Sequence, residues 1–223
     1  MWIVIPVKPF AYAKQRLAAV LTDIERATLA RVMLQDLLAT LARCSRVTGV
    51  LVVSQEATVH ELAARVGANV LPEEMRGLSR AVTQAGLHLL ARGETRMLML
   101  PGDVPLATHH EIDTIIAAHG EGPHMTIVSD REGFGTNALA VSPPHLIPFH
   151  FGHESFHAHC AAARDHGAAV RVLQLPGIAF DIDTPDDLRD LMSFDTEAET
   201  LAYLCDRGLD ARISSRQHQA AAW

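Results

Sequence analysis

The segment Arg96-Met97-Leu98-Met99-Leu100-Pro101-Gly102-Asp103-Val104-Pro105-Leu106 constrains the fold more than any other. Its apolar run has strand length and no polar interruption, and Pro101 and Gly102 end it abruptly before one carboxylate. Such a run suits a parallel strand covered on both faces, so helices must flank it. Open sheets of that kind bind ligands just beyond the carboxyl ends of their strands, and Asp103 falls there. An Asp in a Pro/Gly turn is about as often a plain turn former, so its role depends on what else reaches that edge.

The apolar stretch Trp2 to Val7 reads as a first strand that leaves the sheet near Pro6. The loop after it carries Lys8, Lys14 and Arg16, a small positive cradle for a polyphosphate in a chain whose formal net charge is -7. That net acidity excludes a general nucleic-acid binder, which needs basic surface. No Walker-type glycine loop follows the strand, which excludes a P-loop nucleotidase. With 223 residues, 48% of them hydrophobic, the chain is expected to form one α/β domain over residues 1–211. Arg212 to Trp223 reads as a polar tail. Cys44, Cys160 and Cys205 are odd in number and lack metal-type spacing, Met1 to Val7 lacks the basic region of a signal peptide, and no apolar run is long enough to span a membrane. A cytoplasmic protein with reduced thiols is the expectation.

Thr22-Asp23-Ile24-Glu25 is a capping box, and Leu29, Val32, Met33, Leu37, Leu38 and Leu41 follow at helical spacing. Val47 to Ser54 reads as a strand, about Thr58 to Val66 as a helix stopped by Gly67, and Asn69 to Leu71 as a short strand. Pro72 to Ser79 is a loop, with Ser79 capping a helix to about Ala91; backbone amides at that helix start suit an anion or a base edge. Thr108-His109-His110-Glu111 repeats the capping box. Met125 to Ser129 and Thr136 to Ser142 are strands with no helix between them, which forbids a parallel crossover and predicts a mixed sheet. A helix ending at Gly167 and a strand from Val170 to Leu175 come next.

Ile178 to Asp187 returns acid to the site. Read as a strand, it points the Asp181 and Asp183 carboxylates to one face, where they repel unless a cation lies between them. Thr184 caps the helix that follows, with Pro185 at its first position. Asp103, Asp181 and Asp183 form an oxygen-only ligand set, the kind that suits Mg²⁺ shared with substrate phosphates. A competing pattern is His153-Glu154-Ser155-Phe156-His157, a literal H-E-x-x-H, which in zinc hydrolases needs both histidines on one formed helix. Here Ser155 reads as the helix cap, which leaves His153 outside.

The combination resembles the guanylyltransferases of the coenzyme F420 pathway, which join GTP to a small phosphorylated three-carbon acid. The matching residues are Pro6-Val7-Lys8 with Ala13-Lys14-Gln15-Arg16-Leu17, then Pro101 to Leu106 and Gly135-Thr136-Asn137-Ala138-Leu139. Phe151-Gly152-His153-Glu154-Ser155-Phe156 with His159, and Asp181-Ile182-Asp183-Thr184-Pro185, complete them. The resemblance implies a nucleotide-diphospho-sugar transferase-like fold, a three-layer α/β/α sandwich around a mixed, mostly parallel sheet. It also implies metal on Asp103, Asp181 and Asp183; catalytic roles for Lys14, Arg16 and Asp103, with Lys14, Arg16 and Lys8 on the triphosphate; and acceptor binding by Thr136, Gly152 and Ser155. Gly77 and Ser79 would meet the nucleotide, although the family more usually has Gly-Leu-Asn where this chain has Gly77-Leu78-Ser79. A zinc hydrolase built on His153, Glu154 and His157, and a nucleotide-binding domain without turnover, stand as the other classes.

Overall fold

The computed structural model describes residues 1–209 together with Arg212 and Ile213. One sheet contains β1 (Trp2–Pro6), β2 (Gly49–Val53), β3 (Asn69–Leu71), β4 (Met97–Met99), β5 (His124–Ser129), β6 (Thr136–Ser142) and β7 (Ala169–Val172). Their spatial order is β3-β2-β1-β4-β6-β5-β7. All pairings are parallel except those of β6, which runs antiparallel to both β4 and β5. The mixed sheet follows from the missing crossover helix between β5 and β6.

Helices α1 (Asp23–Leu41), α2 (Ala57–Arg65), α3 (Leu78–Ala91), α4 (His109–Ala118), α5 (Ser155–Asp165), α6 (Pro176–Ala179), α7 (Pro185–Leu191) and α8 (Glu199–Asp206) cover the sheet. Strand alternation decides which helix meets which face. Ile3, Ile5, Val52 and Leu98 pack with Met33, Leu34 and Leu37 of α1, Ile112 of α4, Leu188 of α7 and Leu204 of α8. Trp2, Val4, Leu51, Met97 and Met99 point the other way, onto Val82 and Leu89 of α3 and Cys160 and Ala163 of α5. The result is a three-layer α/β/α sandwich, with each fully buried Leu or Ile worth roughly 1.5–3 kcal/mol over exposure.

β2 pairs with one edge of β1 and β4 with the other, so the strand order reverses at β1/β4. A crevice opens beyond the carboxyl ends at such a reversal. β6 enters antiparallel with Leu139 opposite Met99, so Thr136 and Asn137 extend past β4 toward that crevice.

Three expectations are corrected. Ser79 and Ser155 do not cap: Gly77, at φ 121°, and Glu154 precede α3 and α5, and neither offers a side-chain cap. Asp181 to Asp183 is not a strand: the Ile182 N–H donates to the Asp103 carbonyl at 3.2 Å, but the Asp183 and Thr184 amides turn to the Asp187 carboxylate instead of a ladder partner. Of the expected tail, Arg212 and Ile213 are described. Arg212 Nη2 donates to Glu25 Oε2 at 2.6 Å, and Ile213 is buried in the core. The rest of that stretch, residues 214–223, lies outside the described residues. Among the described residues, no helix is long and apolar enough to cross a membrane.

Candidate active site

The loop after β1 is pinned from below by buried Phe10, Ala13 and Leu17, and the Phe10 N–H donates to Glu56 Oε2 at 2.6 Å. Two 3-10 turns, Phe10–Tyr12 and Gln15–Leu17, leave Lys14 between them in the left-handed region at φ 51° and ψ 42°. A non-glycine residue there carries roughly 1–2 kcal/mol of strain. Its side chain is buried, with Nζ 2.5 Å from Asp103 Oδ2 and 2.9 Å from Asp183 Oδ1. Burial alone would lower the Lys14 pKa, but the charges of Asp103 and Asp183 outweigh it and raise it. Lys8 and Arg16 remain exposed, and Arg16 Nη1 lies 3.6 Å from Asp183 Oδ2. The expected cradle therefore has two outward cations and a third turned onto the acids.

Asp103 follows β4 directly, whereas Asp181 and Asp183 arrive from the far end of the chain. Their approach depends on Gly177, where a Cβ would lie 2.3 Å from the Leu106 carbonyl oxygen. Asn137 Nδ2 donates to the Ile178 carbonyl at 3.1 Å and to Asp181 Oδ1 at 3.0 Å, which fixes Asp181. Burial, with the charges of Asp103 and Asp183 added, raises Asp181 to about 6 despite that bond. Burial would raise Asp183 too, but Lys14 reverses the sign and holds it below the usual carboxylate range.

These three acids face one another without forming a closed cage, and among the described residues no group of three or more His, Cys, Asp and Glu side chains is gathered tightly enough to hold a metal ion. The donor chemistry nonetheless fits Mg²⁺. All candidate ligands are carboxylates, Asp181 is charged reluctantly beside the other two, and an ammonium has been drawn between two of them.

Across the crevice, Thr136 Oγ1 lies 3.1 Å from His159 Nδ1, and His159 Nε2 accepts from the His150 N–H at 3.1 Å. The loop from Phe149 to Phe156 is held at several points. Phe151 N–H donates to Ser79 Oγ at 3.0 Å, Ser155 N–H to the Gly152 carbonyl, and Phe156 N–H to the Phe134 carbonyl. Ser79 thus ties α3 to the loop before α5. Gly152 is exposed and Ser155 buried at the first position of α5, where helix amides point outward.

Beside the Lys14–Asp103 pair lies a cavity of about 370 Å³, lined by Lys8, Lys14 and Asp103, by apolar Phe10, Met33 and Leu78, and by Glu73 and Gly77. Of the site residues expected from the sequence, Lys8, Lys14, Gly77 and Asp103 line that cavity, Asp183 and Arg16 adjoin it through the Lys14 cluster, and Ser79, Thr136, Gly152, Ser155 and Asp181 do not line it. His153, by contrast, precedes α5, and it and His157 are exposed, each 3.6 Å from Glu154. The two-histidine helical face of a zinc hydrolase is not formed. Asn137 and His159 sit inside the quoted motifs, but nothing local in the sequence marks one as the support of Asp181 and the other as the partner of Thr136.

Comparison with known proteins bears on this arrangement. A family model described as guanylyl transferase CofC like matches residues 1–221. A phosphoenolpyruvate guanylyltransferase from Rubrobacter xylanophilus is 40% identical over 188 residues, 84% of this chain and 91% of that one. A 3-phospho-D-glycerate guanylyltransferase from Colwellia psychrerythraea is 33% identical over 186 residues, 83% of this chain and 88% of that one. Among solved structures, a Desulfovibrio desulfuricans protein named as a nucleotide-diphospho-sugar transferase superposes with a TM-score of 0.77 at 19% identity, covering 96% of each chain. A 4-diphosphocytidyl-2C-methyl-D-erythritol synthase does so at 0.61 and 14% identity, covering 85% of this chain and 96% of that one. The fold is thus that of nucleotide-diphospho-sugar transferases, and by both the family model and the relatives the chain belongs to the CofC-like guanylyl transferases.

Proposed function

We propose that this protein transfers GMP from GTP to the phosphate of a small three-carbon phospho-acid and releases pyrophosphate. An acceptor phosphate oxygen attacks the α-phosphorus of GTP in line. The new P–O bond forms as the bond to the bridging α–β oxygen breaks, and the β- and γ-phosphates leave together. A phosphate monoester is already ionised at neutral pH, so no general base is required, and catalysis reduces to positioning and charge neutralisation. The observation that carries this reading is the cavity lined by Lys8, Lys14 and Asp103, beside which a buried ammonium sits between the carboxylates of Asp103 and Asp183.

In this reading Lys14, Arg16 and Lys8 neutralise the triphosphate, with Lys14 exchanging its carboxylate partners for phosphate oxygens. Gly77 and Ser79 border the nucleoside. Thr136, Gly152 and Ser155 hold the acceptor's phosphate. Asp103, Asp181 and Asp183 would hold Mg²⁺, which when bound supplies charge to offset that developing on the phosphates. Phosphoenolpyruvate is the acceptor to try first, because the more similar relative bears that name, followed by 3-phospho-D-glycerate and 2-phospho-L-lactate. The motif resemblance supports a place in coenzyme F420 biosynthesis.

Pyrophosphate release on mixing the enzyme with GTP, Mg²⁺ and each acid in turn tests the proposal. Turnover with one of the acids, absent without it, is expected. GTP binding with no pyrophosphate from any of the three would leave a nucleotide-binding domain without this activity.

A further inference from the structure

His159 is wholly buried, with its ring edge-on to Phe149 and Phe151 at centroid distances of 6.4 and 4.9 Å. Both ring nitrogens are bonded. A backbone N–H can only donate, so the His150 amide at 3.1 Å requires Nε2 to be the bare, accepting nitrogen. In a neutral ring the proton then sits on Nδ1 and is donated to Thr136 Oγ1 at 3.1 Å. Burial pushes the His159 pKa down to about 4, so the ring is neutral near pH 7. Thr136 thereby has its oxygen engaged as an acceptor, and among the described residues its own hydroxyl proton has no acceptor.

We propose that His159 is a positioning residue for the acceptor site: its Nδ1–H takes one lone pair of the Thr136 hydroxyl and so turns the hydroxyl proton toward an anionic oxygen of the bound phospho-acid. Left to itself, a threonine hydroxyl rotates, and it serves as donor or acceptor with equal ease. With the imidazole N–H on one lone pair, the hydroxyl proton turns away from the ring, which is the orientation an anion needs. The same tautomer leaves Nε2 bare for the His150 amide, in the segment that precedes Gly152. This inference rests on the assignment of Thr136 to the acceptor's phosphate made above.

The test is a double-mutant cycle on the full-length enzyme, with KM for GTP and for the phospho-acid measured by pyrophosphate release. Thr136→Val alone should raise the acid's KM about tenfold, the loss of one hydrogen bond to a charged group, and leave that for GTP within about twofold. His159→Gln should do the same, because the Gln amide oxygen can still accept from the His150 N–H while the Nδ1–H donor is lost, and the double variant should be no worse than Thr136→Val, whose hydroxyl is already gone. If the two effects multiply, or if His159→Gln raises both KM values alike, His159 is a structural staple and the proposal fails while the Thr136 assignment stands. If Thr136→Val leaves the acid's KM unchanged, the assignment itself fails and takes the proposal with it. Because His159→Gln can fail to fold, imidazole ¹⁵N spectra of the wild-type protein provide a second reading. A protonated Nδ1 and bare Nε2 on His159 are expected, with a response to the phospho-acid and none to GTP. A protonated Nε2 overturns the proposal.

Discussion

At the β1/β4 end of the crevice the site is ionic and partly wet, with the side chains of Asp103 and Asp183 30% and 45% exposed around one buried ammonium. At the β6/α5 end, Thr136, Ser155 and His159 are neutral and buried, and their bonds are hydrogen bonds. The first arrangement is the kind that can be exchanged: in the proposed reaction Lys14 would leave two carboxylates for a triphosphate without losing its charge partners. The second is finished before the substrate arrives, and adds donors without adding charge. A reaction that brings two polyanions together needs both, since one end must absorb charge and the other must hold a phosphate still.

Asp183→Asn offers the hardest blow to the ionic end. It keeps size and some hydrogen bonding but removes half of the Lys14 pairing and a proposed metal ligand. We expect kcat/KM to fall on the order of 10²- to 10³-fold, the usual cost of deleting one preorganised charge interaction, with the circular dichroism spectrum unchanged. A well-folded variant with near-normal turnover would remove Asp183 from the chemistry.

Acid sharpens the contrast from the neutral end. Burial lowers His159 to about 4, and His119, bonded to Thr126 and Ser142 beyond the other end of the strands, is lowered to about 4 in the same way. Their neutral forms are favoured by folding. Their contribution is therefore complete above the unfolded value near 6.5 and is lost as pH falls from there toward 4. The loss amounts to at most about 3 kcal/mol per histidine. Denaturant titrations at pH 7, 5.5 and 4.5 should show that decline, and His119→Gln should flatten it. A curve of the same steepness in that variant would contradict the assignment of His119.

The smallest effect belongs to His153→Ala. This change erases the H-E-x-x-H pattern but touches an exposed ring. Activity should stay within about threefold and stability within roughly 0.5 kcal/mol. Loss of activity together with a stoichiometric zinc would restore the hydrolase reading.

Much of the scaffold was legible because its signals are local. The capping boxes at Thr22, Thr108 and Thr184 all form, and β3 and β6 begin and end where their residue patterns place them. What escaped was built by distant partners. α8 starts at Glu199 without a capping residue of its own, because Asp36 of α1 accepts from the Glu199 and Thr200 amides at 2.8 and 2.9 Å. Ser79 and Ser155 look like caps in sequence, yet Gly77 and Glu154 take the capping positions and Ser79 Oγ serves Phe151 instead. In the site, the residue types at the crevice were readable from strand ends and turns. The ion pairs of Lys14 were not, since they span 89 and 169 residues of chain.

The division of labour between the two ends is tested most directly by measuring KM for GTP and for the phospho-acid side by side in Lys14→Met and Ser155→Ala. Lys14→Met keeps the length of the side chain and removes its charge, and should raise the KM for GTP about tenfold or more while that of the acid stays within about twofold. Ser155→Ala removes a hydroxyl at the start of α5 and should show the mirror image. If both substitutions move the same KM, or if each moves the one assigned to the other, the two ends of the crevice do not serve the substrates given to them here.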